Sequence, residues 1–105
     1  MIVVEVENIK TVLKEARDNH LRVFVKDVYI AVPEEKNTYI QGLLEVSTIS
    51  KTLNEPTLFF YQEEIGSTKK MKTETLEKKC REEIKLLTET LHKEGYDVIN
   101  GIVRT

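Results

Sequence analysis

Runs of β-branched residues alternate along the chain with stretches of helical periodicity. Ile2 to Val6 is β-branched and predicts a strand, and Asn8 then precedes apolar residues at helical spacing, which predicts a helix capped by Asn8. Leu21 to Val32 is rich in Val, Ile, Phe and Tyr and predicts a second strand, or two strands with a break at Lys26-Asp27. Its last part, Val28 to Val32, is almost continuously apolar, which is typical of a strand covered by helices on both faces.

The stretch from Glu34 to Asn54 fits two interpretations. Alternate positions are apolar or small, as in a strand, but a second set of apolar positions lies on one face of a helix. The alternating set is Ile40, Gly42, Leu44 and Val46, and the helical set is Tyr39, Leu43, Val46, Ser50 and Leu53. Asn54 readily takes the left-handed conformation that ends helices, and Pro56 pushes Glu55 out of the helical region. We therefore predict a helix over 37–53 and keep a strand as the alternative.

The rest of the chain predicts a strand, a long helix and a last strand. Thr57 to Gln62 predicts a buried strand, which a polar loop follows. The apolar residues of the helix lie on one face and are Leu76, Cys80, Ile84, Leu87 and Leu91. Gly95 is predicted to end this helix, and Tyr96 to Arg104 to form the last strand.

These elements predict one α/β domain over residues 1–105 in the order β-α-β-α-β-α-β. That order gives a three-layer sandwich with a mainly parallel sheet. If 37–53 is a strand, the order becomes β-α-β-β-β-α-β, which is an α+β fold.

Composition narrows the class of partner. The 105 residues are 40% hydrophobic and 32% charged, as in a globular protein, and the formal net charge is −2. Because this net charge provides no positive field that would attract phosphate groups, we do not expect nucleic acid as the partner. No apolar run reaches the roughly 18 residues of a membrane helix, and the first residues do not resemble a signal peptide, so we expect a cytoplasmic protein without membrane contact.

The best catalytic-looking set is Asp27, Glu34 and Lys36. A strand carboxylate with Glu-x-Lys nearby can hold Mg²⁺ and orient a water molecule in nucleases, and the alternative element order suits such enzymes. Glu34 and Lys36, however, follow Pro33 in a predicted turn. His20 and His92 have no partner at metal-ligand spacing, so we predict no metal site and favour a non-catalytic protein.

From Asp27 the chain reads DVYIAVPEEKNTYIQGLLEVSTISKTLNEPTLFFYQEE and then, after a polar loop, LEKKCREEIKLLTETLHKEGYDVINGIVRT. This pattern resembles the first half of a universal stress protein domain, and the resemblance implies a helix for Asn37 to Leu53. Nucleotide-binding members of that family carry an aspartate where this chain has Pro33, and a glycine-rich phosphate loop that this chain lacks. The cofactor is therefore left open.

A ligand of such a sheet, whether a small molecule or a nucleotide, binds outside the carboxyl ends of the parallel strands. The residues expected there are Pro33, Glu34, Asn37, Tyr61 and Gln62.

Two surface features bear on partners. Lysines at 69, 70 and 72 could contact phosphate, but they are interspersed with glutamates as on a solvated helix face. The last strand, with Val98, Ile99, Ile102 and Val103, is predicted to form a sheet edge that pairs with a second copy. We expect a homodimeric binding or regulatory protein that resembles universal stress proteins. The competing hypothesis is a Mg²⁺-dependent nuclease that uses Asp27, Glu34 and Lys36.

Overall fold

A computed structural model describes residues 1–51 and 54–101 of the chain. Its elements are β1 (Ile2–Glu5), α1 (Ile9–Asp18), β2 (Val23–Pro33), β3 (Thr38–Ser50), β4 (Thr57–Ser67), α2 (Thr73–Lys93) and β5 (Val98–Asn100). The order is β-α-β-β-β-α-β. The prediction of a mainly parallel three-layer sandwich is therefore wrong, and the element order is that of the alternative.

The strands form one mixed, mostly antiparallel sheet in the order β1-β4-β3-β2-β5. β3 pairs antiparallel with β2 on one side and with β4 on the other. The short outer strands pair parallel, β1 with β4 and β5 with β2. The centre of the sheet is thus a three-stranded antiparallel meander.

The predicted helix over 37–53 is wrong, because β3 occupies Thr38–Ser50. Leu44 and Val46 are buried on the face under the helices, and Leu43 is buried on the opposite face. A strand buried on both faces loses the simple alternation of apolar and polar residues, and its apolar positions then also fit helical spacing. Asn54 and Pro56 lie instead in the connection from β3 to β4, and Leu53 is outside the described residues.

Both helices lie on the same face of the sheet, because both belong to right-handed crossover connections. β1, β2, β4 and β5 all run in the same direction, and α1 and α2 make crossovers from β1 to β2 and from β4 to β5. Both crossovers run the same way along the sheet, so the preference for right-handed connections puts the two helices on the same side. The core contains residues of both helices together with one sheet face: Val12, Ala16, Val23, Val25, Leu44, Val46, Ile84, Leu91 and Val98. The expectation of helices on both faces is wrong.

The ends of the helices follow the sequence predictions. The Asn8 side chain caps α1 by accepting a hydrogen bond from the Lys10 N–H at 2.9 Å. Gly95 follows α2 with a φ of 90°, the left-handed conformation that ends helices. The predicted apolar face of α2 is confirmed at Leu76, Cys80, Ile84 and Leu91, which are buried, and Leu87 is partly buried. Within the described residues, neither helix is long and apolar enough to cross a membrane.

Candidate functional site

The residues predicted to hold a ligand fall into two separate groups. Pro33 ends β2, and Glu34 and Asn37 form the tight turn that follows, where the Glu34 N–H donates to the Asn37 carbonyl at 2.7 Å. Tyr61 and Gln62 lie in the middle of β4, because β4 continues to Ser67 through the segment predicted as a loop.

The separation of the two groups follows from the sheet register. Thr38 of β3 pairs with Pro33, whereas Glu45 of the same strand pairs with Gln62. Thr38 and Glu45 are about 23 Å apart at roughly 3.3 Å per residue. Tyr61, moreover, packs against the core under the helices, while Gln62 points to the other face. The structure does not bring the five residues together.

The carboxylates of the proposed nuclease set are also far apart. Asp27 lies within β2, and its carboxylate accepts a hydrogen bond from the Tyr29 hydroxyl at 2.8 Å. Glu34 and Lys36 lie beyond the end of this strand, about 20 Å further along at roughly 3.3 Å per residue. Within residues 1–51 and 54–101, no group of three or more His, Cys, Asp or Glu side chains could hold a metal ion.

Of the lysines at 69, 70 and 72, Lys69 links the turn between β4 and α2 to the β2–β3 hairpin. The Lys69 ammonium pairs with the Glu34 carboxylate and lies 4.3 Å from the centre of the Tyr39 ring. The hydrogen bond to Glu34 is the main cause of the raised pKa of Lys69. Lys72 is the residue before the first turn of α2. Lys69 is thus engaged with the β2–β3 hairpin, which makes a structural role the simpler explanation of its position.

The sheet face opposite the helices is a further surface without an assigned role, and we call it the open face. Its residues alternate with the core residues along β2, β3 and β4, and no described helix packs on it. The apolar and aromatic side chains of the open face are Val3, Phe24, Val28, Ile30, Val32, Tyr39, Leu43, Ile49, Leu58, Phe60 and Ile99. Most of them are half-buried by their neighbours within the sheet, while Ile30 is 39% exposed and Val3 is 58% exposed.

Aromatic residues flank a small one at the centre of the open face. Ser47 of β3 pairs with Phe60 of β4 on one side and with Phe24 of β2 on the other. Phe24 in turn pairs with Ile99 of β5, so the row crosses four strands. The small Ser47 side chain helps to form a shallow groove of about 250 Å³. The groove is lined by Phe24, Lys26, Glu45, Ser47, Ile49, Leu58 and Gly101.

A polar row lies beside this apolar row. The Lys26 ammonium is 3.0 Å from one carboxylate oxygen of Glu45, and the Gln62 amide donates to the other oxygen at 2.9 Å. The Glu45 side chain is only 12% exposed and that of Lys26 28% exposed. Both oxygens of Glu45 are therefore paired, and the row carries no net charge.

Sequence reasoning missed the open face because it depends on β3 being a strand. Leu43 and Ile49 at odd positions of β3 were the available signal, since Leu44 and Val46 already occupied the even positions. A strand that is apolar on both faces contacts something on each of them.

No protein-family model matches the chain, and no curated protein or solved structure is significantly similar to it. The resemblance to universal stress proteins therefore stays a prediction. The helix that it implies for Asn37 to Leu53 is not formed, since β3 occupies most of that range.

Proposed function

We propose that this protein is a non-catalytic α/β binding module that acts as a homodimer in the cytoplasm. The observation that carries the proposal is the open face, a broad sheet surface with apolar side chains on all five strands. Contiguous apolar surface beyond a few hundred Å² is uncommon on monomeric proteins and marks interaction sites.

The chemistry of the open face supports binding of a protein surface. Phe24 and Phe60 lie near its centre, and aromatic residues are enriched at the centre of protein interfaces. The central charges, Lys26 and Glu45, neutralise one another, so a partner does not have to supply an opposite charge. Surfaces used for catalysis instead present polar groups that are free to contact a substrate, whereas Lys26, Glu45 and Gln62 of the open face pair with one another.

The position of β5 at an edge of the sheet also supports self-association. β5 is an outer strand that, within residues 1–51 and 54–101, pairs with β2 alone. Ile102 and Val103 of the predicted edge lie outside the described residues. Two surfaces, the β5 edge and the open face, are thus available for contact with a second copy. The hypothesis of a nuclease built on Asp27, Glu34 and Lys36 gains no support from the geometry, because these residues do not converge.

Sedimentation velocity over about 1 to 100 µM protein tests the proposal. We expect a dimer at the upper concentrations and a midpoint of thermal unfolding that rises with protein concentration, because dimer formation stabilises the folded state by mass action. A monomer at every concentration, with a constant unfolding midpoint, would contradict the homodimer.

A further inference from the structure

We infer that the open face is covered by the open face of a second copy of this chain, with the two sheets packed face to face about a two-fold axis. The inference rests on the proposed function and identifies the surface through which the homodimer forms. It replaces the β5 edge as the site of contact.

The extent of the open face matches what a stable dimer needs. β2, β3 and β4 are 11, 13 and 11 residues long. At a rise of roughly 3.4 Å per residue and a strand spacing of roughly 4.8 Å, they present roughly 600 Å² in projection, before the outer strands are added. Side chains make the accessible surface larger than this projection, and a standard interface buries about 800 Å² per partner. Edge pairing through β5 would involve only three described residues.

The shape of the open face is complementary to that of a second copy. Two packed sheets lie about 10 Å apart, and their inner side chains interdigitate. Phe24 and Ser47 line the groove, and Phe60 pairs with Ser47 on the side away from Phe24, so each copy carries both a recess and an apolar side chain beside it. A two-fold axis that passes between the recess and Phe60 sets Phe60 of each copy against the recess of the other, as a self-complementary interface requires.

Charge also favours a second copy. Burying an unpaired charge in an interface is costly, and two copies of one surface bring like charges together. The charged residues at the centre, Lys26 and Glu45, are already paired within one chain, and Gln62 occupies the remaining oxygen of Glu45. Exposed carboxylates, Glu5 and Glu64, lie towards the margins, where solvent screens them.

Matched variants separate the open face from the β5 edge. Phe60→Glu places a charge at the centre of the open face and is expected to raise the dimer dissociation constant by about 100-fold or more. Leu86→Glu makes the same type of change on α2, where Leu86 is 60% exposed, and is expected to leave the dimer unchanged.

Asn100→Pro tests the edge. The Gly101 N–H donates to Val25 of β2, so the N–H of the preceding residue, Asn100, points out of the sheet. Proline there removes an outward donor and blocks pairing with another strand. We expect this variant to remain a dimer.

Sedimentation of the four proteins, each checked by circular dichroism, gives distinct outcomes. A dimeric Phe60→Glu with a monomeric Asn100→Pro overturns the inference and leaves the homodimer standing. A wild-type protein that is monomeric throughout overturns both. If Phe60→Glu does not fold, Phe60→Ala replaces it; we expect a dissociation constant about 10-fold higher, and a value equal to that of the wild type overturns the inference.

Discussion

At the scale of single residues, the two fully buried polar side chains of β3, Thr48 and Ser50, have partners. Thr48 is fully buried, and its hydroxyl donates to the Arg22 carbonyl at 2.8 Å. Within the described residues, no buried side-chain nitrogen or oxygen lacks a hydrogen bond. Thr48 and Ser50 are polar yet fully buried, which the partners of their polar atoms within the fold make possible.

Replacing Thr48 with Val tests this account. The change keeps the shape of the side chain and leaves the Arg22 carbonyl without its donor, so we expect the free energy of unfolding to fall by about 1–3 kcal/mol. Thr90→Val is the control, since the Thr90 hydroxyl also donates to a carbonyl, that of Leu86, but at an exposed site. Urea unfolding should show a change within about 0.5 kcal/mol for the control. Equal effects of the two substitutions would contradict the account.

Cys80 gives the protein a predictable response to alkaline pH. Its thiol is 1% exposed, and burial raises its pKa above the usual 9.0. Above pH 9.0 the unfolded thiol loses its proton while the folded thiol keeps it. The stabilising contribution of Cys80 is therefore complete below this pH and is lost as pH rises through the folded pKa.

Urea unfolding of wild type and Cys80→Ala at about pH 7 and about pH 10 measures this contribution. The free energy of unfolding of the wild type should fall by up to about 1.4 kcal/mol per pH unit between the two unfolding conditions. We expect the stability difference between the two proteins to shrink at the higher pH. A difference that is independent of pH would show that the thiol titrates equally in both states.

At the scale of elements, β3 and α2 approach each other closely at Gly42. A methyl group added to Gly42 would lie 2.9 Å from both Leu76 Cδ1 and Cys80 Sγ. Such a contact is shorter than packed carbon atoms allow. The glycine therefore lets the first turns of α2 lie directly on the central strand.

Gly42→Ala is expected to lower the free energy of unfolding by about 1–3 kcal/mol, because the added methyl overpacks the contact between β3 and α2. Leu76→Val shortens the side chain that the methyl would meet. In a double-mutant cycle followed by urea unfolding, the two substitutions together should cost less than the sum of their separate effects. Additive costs would mean that Gly42 does not meet Leu76.

The elements that could be predicted from sequence are those with one buried face. The cap at Asn8, the buried stripe of α2 and the helix end at Gly95 all depend on local spacing, and all are confirmed. β3 was wrongly predicted as a helix, because burial on both faces of the strand adds apolar positions that also fit helical spacing. β4 was predicted to end at Gln62, since Glu63 and Glu64 suggest a loop, but antiparallel pairing with β3 continues to Ser67.

The open face was harder to predict than any element. To predict it, one must know the order of the strands and the side of the sheet on which both crossovers lie. The local spacing of apolar residues gives neither. Phe24 and Phe60 are 36 positions apart in the chain. They lie on either side of Ser47 because β2 and β4 both pair with β3. The predicted ligand residues failed to converge for the same reason, because their selection assumed a parallel sheet.

At the scale of the whole molecule, the two layers are unequal: one side of the sheet carries both helices, and the other carries apolar strands and a neutral polar row. Because α1 and α2 both connect strands on the helical side, neither crossover passes over the open face. Among the described residues, no segment covers the open face and would have to move before a partner binds. Its capture should be governed by diffusion and orientation, without a slow rearrangement of the chain beforehand.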